Sequence, residues 1–524
     1  INFRIIDKKP TFSENSRALI VQPRTMELFE QMGIAETFLA QGTHARGLTL
    51  HTKHWTKDFN VFATGADQTR YNFGVMIEQT KTERILHDYL QQAGHQLEWE
   101  TELTQLEQMD RGVHLTLRHA DGTTESLMTR YLIAADGASS TVRKQTDVAF
   151  VGETVEQRFV IMDATVAEPL AQATMDLNFN PNGPIGVIPL STPDRFRIIS
   201  TLPKGYTGAE PTVEDFQRFL KQNFPGGLTT SDPAWFSIYH IHSRSVAHFN
   251  VGNIFFVGDA AHVHTPLGGQ GMNTGLQDAH NLAWKLALVL RNQLPVVALD
   301  SYHAERWPVA HRLVTTTDRL FELISNDSPL ASFVRVNIFP PLLRFVMRLP
   351  GVQRRVFPIL AMTGIRYADG FFVKTQEHDL PKNAPVAGER WPYVRFASSG
   401  SEISSYSVLD YTKHHLFIFT PKVDKSLRAQ AAGLEQSLPL RVHFVLPKIT
   451  SDQAVPALTC DNATFTRFSK SGETSIYLVR PDAYVALAQR LTDADLRSLL
   501  ATYFDESDVQ RQEQTSHQNL PTTV

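Results

Sequence analysis

Between Val257 and Ala279 the chain reads VGDAAHVHTPLGGQGMNTGLQDA, which sets a carboxylate, a proline and a cluster of glycines ahead of helix-forming residues. The apolar run 254–257 lies between Gly252 and Gly258, as a strand buried in an α/β sheet should. Ligands of such sheets bind beyond the C-terminal strand ends, and Asp259 stands at one. A carboxylate there cannot hold a phosphate directly. It can accept hydrogen bonds from a ribose or ribityl hydroxyl, or from phosphate-bound water. Gly268, Gly269 and Gly271 let the backbone approach a flat ligand with no side chain between. A helix starting near Gly271 adds free amides and a positive dipole end, which favour an anion. These glycines run G-x-G-x-x-x-G well past the strand, unlike the dinucleotide fingerprint, which follows its strand directly. The plainer reading is a turn capping an amphipathic helix with Leu276, Ala279, Leu282, Leu286 and Val289 on its inner stripe. Gly258-Asp259 before the turn and Asn273 after it favour the ligand.

The elements that would hold these residues are readable along the chain. QPRTMELFEQMG (22–33) sets Met26, Phe29 and Met32 on one helical face with Gly33 as the stop, and TKTERILHDYLQQAG (80–94) repeats the arrangement. Residues 96–135 alternate as strands and end in a strand with Asp136 at its tip. From 155 to 250 the chain is β-rich apart from TVEDFQRFLKQNF, a helix with a Thr cap and an acidic first turn. A large sheet carrying side chains suits the wall of a substrate pocket. A helical stretch and linker cover 321–384, and 385–524 form a separate α/β module.

With 524 residues the chain is too long for one core. The net charge of −4 gives no general attraction to nucleic acid or anionic membrane. No run of 18 apolar residues suggests a membrane span. The single cysteine, Cys460, excludes an internal disulfide and fits a cytoplasmic setting. Two His-x-His pairs, His240/His242 and His262/His264, lack further ligands at suggestive spacing, so packing or pocket roles are expected and a metal site is not. His240 and its neighbour Tyr239 are candidates for contact with substrate, His240 as a base. The arginine-rich apolar stretch FVRVNIFPPLLRFVMRLPGVQRRVF is broken by prolines, so a docked helical pair or a homodimer contact is expected in preference to a membrane-surface helix.

The ordered set of motifs resembles the FAD-dependent aromatic hydroxylases, the class A flavoprotein monooxygenases, in their phenol hydroxylase and polyketide hydroxylase branch. The resemblance rests on GDAAHVHTPLGGQGMNTGLQDAHNLAWKLALVL, on SYHAERWPVA (301–310), on AADGASSTVR (134–143), on SRALIVQPRTMELFEQMG (16–33) and on YLVRPDAYVALAQR near the C-terminus. It implies an α/β fold with a Rossmann-like FAD domain of the glutathione reductase type (1–154 and 251–320), a β-sheet substrate domain (155–250) and a thioredoxin-like domain (385–524). It further implies that Asp7 holds the adenosine ribose, that Arg17 contacts the pyrophosphate or ribityl region and that Gln79 reaches the ribityl chain. Gly258 and Asp259 would meet the ribityl and pyrophosphate end. Pro266, Gly269, Gly271, Met272 and Asn273 would line the isoalloxazine, and Asp136 with Arg143 would support the site. The reaction implied is reduction by NAD(P)H, capture of O2 as a flavin C4a-hydroperoxide and oxygen transfer to a small aromatic substrate, with Pro266 beside the reacting ring.

One departure stands out. The family places a strand and a G-x-G-x-x-G turn before the acidic residue that Asp7 matches, and no such segment precedes Asp7 here. Truncation of the sequence is the favoured explanation. The alternative is a degenerate flavoprotein fold acting as a non-catalytic binding protein. A thiol redox role for the last domain is excluded, since it has no Cys-x-x-Cys.

Overall fold

The architecture is that of a computed structural model describing residues 1–13, 18–202, 208, 210–265, 267–325, 328–368, 370–374, 379–398, 401–447, 457–492 and 495–504. Arg17 and Pro266 lie outside these residues.

The longest sheet has eight strands. In spatial order they are His262–Val263, Thr230–Val246, Phe150–Val166, Arg195–Thr201, Gly183–Pro189, Thr174–Asn180, Gly47–His51 and Thr56–Phe59. All neighbours are antiparallel except Thr174–Asn180 with Gly47–His51, which are parallel. The sheet is thus wider than the 155–250 block that composition singled out. GLTLH alternates as a strand should, but its partner lies far along the chain, where local pattern gives no hint.

Residues opposite each other on antiparallel strands share a face. One face carries Val160, Met162, Ile198 and Val187 and packs on Phe216 and Leu220 of the helix Val213–Asn223. That helix has the expected Thr212 cap, closed into a capping box by Asp215. The other face carries Phe159, Ile161, Ile199, Ile188 and Tyr239.

Two short parallel ladders lie apart from this sheet. Ile5–Ile6 pairs with Leu97–Glu98, and Leu132–Ala134 pairs with Ile254–Phe256, which Asn250–Val251 extends. Ile5 and Ile133, one in each ladder, are 40% and 49% exposed.

The last module is built around the parallel strands His414–Phe419 and Leu440–Pro447, joined by the helix Lys425–Ser437. The antiparallel pair Thr474–Val479 and Val485–Leu491 continues it on the far side of His414–Phe419. Among the described residues no single helix is long and apolar enough to cross a membrane.

Candidate functional site

The strand Ile254–Phe256 is fully buried and delivers a tight turn, Gly258–Ala260, at its C-terminal end. Gly258 has φ +58, and its Cα lies 3.1 Å from where a Cβ on Gly275 would stand. The helix Gly271–Leu290 thus comes closest to the strand end at Gly275, where an added Cβ would crowd the Gly258 backbone. Asp259 is exposed on this turn.

Gly269 has φ +60, and a Cβ there would sit 2.2 Å from Cγ2 of Ile20. Gly269→Ala combines backbone strain with that clash. We expect it to cost about 2–3 kcal/mol and to lower flavin occupancy; thermal unfolding and the flavin absorbance of the purified variant measure both, and native values for both would refute the reading.

Asn273, fully buried, fixes the glycine turn from beneath. Its Nδ2 donates to the carbonyls of Ile20 and Gly269, both at 2.9 Å, and its Oδ1 accepts the Gln22 amide at 2.8 Å. Gln22 Nε2 donates to the Gly268 carbonyl at 3.0 Å. Gln270 precedes the helix, but its side chain goes to the Ile359 carbonyl and caps no amide. The helix start is therefore bare of a side-chain cap, and the turn above it is open: Gly268 is exposed, with Gly269 and Gly271 half-exposed.

His264 adds a polar atom without a protein partner. Its Nδ1 donates to the Thr265 carbonyl at 2.6 Å, which leaves Nε2 as an acceptor. Nε2 is buried with no hydrogen bond and lies 3.1 Å from a Cβ built on Gly271. Burial, reinforced by His262, lowers the ring's pKa to about 4, so it is neutral at pH 7. Bare amides, a turn free of side chains and a buried acceptor fit a large planar cofactor with hydroxyl and N–H donors.

The remaining candidates are placed as follows. Asp7 ends the strand Ile5–Ile6, and its Oδ1 accepts the Lys9 amide at 2.9 Å. Gln79 opens the helix Gln79–Gln92, and its Oε1 accepts the Ala18 amide at 3.1 Å. Asp136 is exposed and accepts the Val142 amide at 3.1 Å, holding the start of the short helix Thr141–Gln145. Arg143 is buried and donates to the carbonyls of Ala138 (2.6 Å) and Ala260 (2.9 Å), so it ties the Asp136 loop to the Gly258–Ala260 turn. Met272 packs toward Val21 and Met26.

Tyr239 and His240 part company. The Tyr239 ring stacks on Phe159 with centroids 5.9 Å apart. The same sheet face carries Ile188, which clusters with Met175 and with Ile20 beneath the glycine turn. His240 is exposed on the opposite face, which carries Val160 and Ile238. Strand alternation therefore removes His240 from the glycine turn, correcting the expectation that both neighbours meet substrate.

The quoted motifs contain, without revealing that they meet, the members of a buried ionic chain under the site. Asp278 accepts His262 Nε2 and Arg306 Nε, both at 2.7 Å, and the Gly258 amide at 3.3 Å. Burial opposes the Asp278 charge, but Arg306 and His262 prevail and hold its pKa below the usual carboxylate range. Arg306 continues to Tyr367. Glu305, its neighbour, takes a bidentate pair from Arg480 at 2.6 and 2.8 Å and also binds Lys285 at 2.8 Å. Arg480 also pairs with Asp482, whose carbonyl accepts Arg24 at 2.6 Å. The helix Gly271–Leu290 is consequently buried on more sides than the expected stripe: Asp278, Asn281 and Lys285 are inside, while Ala279 is exposed. The signal for this chain was the charged residues within the quoted motifs, Asp278, Lys285, Glu305, Arg306, Arg480 and Asp482, but residue order does not show that these segments meet.

Comparison with known proteins accounts for the arrangement. Residues 1–317 match the FAD binding domain family, and residues 384–507 match the aromatic-ring hydroxylase C-terminal family. The chain is 35% identical to 6-methylpretetramide 4-monooxygenase of Streptomyces rimosus, over 76% of each chain. It is 33% identical to pentachlorophenol 4-monooxygenase of Sphingobium chlorophenolicum, over 62% of this chain and 61% of the relative. The solved structure of OxyS anhydrotetracycline hydroxylase from Streptomyces rimosus superposes with a TM-score of 0.73 at 26% identity, covering 96% of this chain and 94% of that one. The protein belongs to the FAD-dependent aromatic hydroxylases, and it is a flavoprotein monooxygenase. The relatives support this catalytic reading and not a non-catalytic binding protein.

Proposed function

We propose that this monooxygenase hydroxylates a phenolic or polycyclic aromatic substrate on the face of the large sheet that carries Phe159, Ile161, Ile188 and Tyr239. The observation that carries the reading is the bare glycine turn and uncapped helix start, joined through Ile20 to that apolar face. The named relatives act on rings of both kinds.

FAD supplies hydride acceptance from NAD(P)H and activation of O2. This chain's residues position and shield. Asp259 accepts ribityl hydroxyls, Asp7 the adenosine ribose, and His264 Nε2 a cofactor donor. Gly269, Gly271 and the first amides of the helix meet the planar ring, with Asn273 holding their geometry and Met272 packed behind. Gln79 and the Arg143 tether with Asp136 brace the surrounding loops. Arg17 and Pro266 keep their proposed contacts on the strength of the motifs alone. The apolar side chains of that face, Phe159, Ile161 and Ile188, exclude water from the reacting ring, and Tyr239 offers a hydroxyl to orient a phenol. The C-terminal module, thioredoxin-like in strand order, acts as a scaffold. A cytoplasmic setting is supported by the single cysteine.

Turnover with labelled O2 tests the reaction: the label should enter the hydroxylated product, and an unlabelled product would overturn the assignment. Asp259→Ala should weaken FAD binding roughly tenfold to a hundredfold, the worth of a hydrogen bond to a charged group. Fluorescence titration of the apoprotein measures this, and unchanged affinity would remove Asp259 from the site.

A further inference from the structure

Residues 328–361 contain five arginines (335, 344, 348, 354 and 355) and no Asp or Glu. They fold as the helical pieces Pro329–Phe333, Val334–Ile338, Phe339–Val346 and Pro350–Leu360. The inner side is anchored. Arg335 is buried and donates to the Pro181 carbonyl at 3.1 Å, the Phe339 ring meets Phe179 edge-on, and Met347 and Phe357 pack with Val61 and Phe62.

The outer side is apolar. Leu330, Phe333, Ile338, Leu342, Phe345 and Leu349 are 45–74% exposed. Their steps of three and four residues, with one of five across the wider π turn 334–338, place them along a single stripe. With Ile359 they make seven of the fifteen large hydrophobic side chains exposed among the described residues. Such clustering separates this surface from the scattered apolar exposure of an ordinary protein.

Charge decides what covers it. Arg348 and Arg355 are exposed, and the Arg344 guanidinium lies 5.2 Å from the Trp55 ring centroid. Among the described residues none of the three forms an ion pair, whereas Arg354 pairs with Asp67. A second copy using the same surface would set these cations against their own symmetry mates. An anionic bilayer meets both demands: acyl chains take the stripe, and headgroups take the arginines that flank it in sequence. The segments Pro329–Val346 and Gly351–Leu360 bend by 106°, so they form no single straight apolar span.

We propose that the outer face of residues 329–360 docks onto an anionic lipid surface, resting in the headgroup layer without crossing it. The proposal stands apart from the catalytic reading: the segment meets the glycine turn through the Ile359 carbonyl, which accepts Gln270, and the docking side chains make no part of that contact.

Flotation of the FAD-loaded full-length chain with phosphatidylcholine vesicles, with or without phosphatidylglycerol, tests it. Binding to the anionic vesicles should be on the order of a hundredfold tighter, as three cations near such a surface imply, and should weaken with added salt. Leu342→Ser with Phe345→Ser should abolish binding to both vesicle types. Replacing Arg344, Arg348 and Arg355 by Gln should abolish only the preference for phosphatidylglycerol. Thermal unfolding and flavin absorbance matching the native protein certify each variant, and the arginine variant alone decides should the serine variant misfold. Failure of the native chain to float with either vesicle overturns the proposal. So does a serine variant that turns a dimer into monomers while vesicle binding is unchanged, which would assign the stripe to a second copy.

Discussion

Arg306→Met will destabilise the protein by about 3–5 kcal/mol, the cost of removing one partner from a buried ion pair. Arg306 and Asp278 are both fully buried at 2.7 Å. Loss of the guanidinium would leave a carboxylate facing only His262 and the Gly258 amide. Because Asp278 also positions that amide and His262, the flavin floor should loosen as the fold weakens. Arg306→Lys should rescue only in part, since one ammonium cannot span Asp278, Tyr367 and the Thr274 carbonyl together. Denaturant unfolding of apoprotein and holoprotein gives the stability term, and FAD titration gives the positioning term. A methionine variant within 1 kcal/mol of the native protein, with native FAD affinity, would show that the pair does neither job.

The fold should also fail in mild acid. Burial, as the largest cause in each case, depresses His264, His280 and His415 to about 4 and His414 and His443 to about 3. His415 Nδ1 and His443 Nε2 lie 2.8 Å apart, so at most one proton can sit between them. Each ring is neutral in the folded protein at a pH where the unfolded chain, with pKa near 6.5, takes up a proton. The unfolded state then binds more protons, and stability falls as pH drops below 6.5 toward the folded values. One unit below 6.5, five such groups cost about 7 kcal/mol, a sum that rivals the net stability of a whole domain. Circular dichroism and thermal scans across this range should show the melting temperature collapsing before pH 4. A melting temperature that holds steady down to that point would mean the histidines are not buried as described.

These effects mark the boundary of what could be read from residue order. The strand before Asp259, the glycine turn and the helix from Gly271 are contiguous, so their types and spacing announced the elements and a flat or anionic ligand, while the flavin itself was legible only through the resemblance of the motifs. The Thr212-capped helix was legible for the same reason: cap, acidic turn and apolar stripe are all local. Glu305 and Arg480 are 175 positions apart, and no periodicity connects them. His240 illustrates a different limit. Its residue type suggested chemistry, but the face on which it lies depends on register with Phe150–Val166, which partner pairing fixes and composition does not. Asp136 and Arg143 were found by motif, yet their visible work is to clamp loops.

The parallel seam between Gly47–His51 and Thr174–Asn180 bears on how such enzymes can be recombined. A graft that exchanged only the β-rich block 155–250 between relatives would tear this seam, stranding two edge strands on the recipient and leaving the donor's Asp176 without the ring of His51, 2.6 Å away. Transplanting a new substrate preference therefore means moving the hairpin at 47–59 in the same cassette.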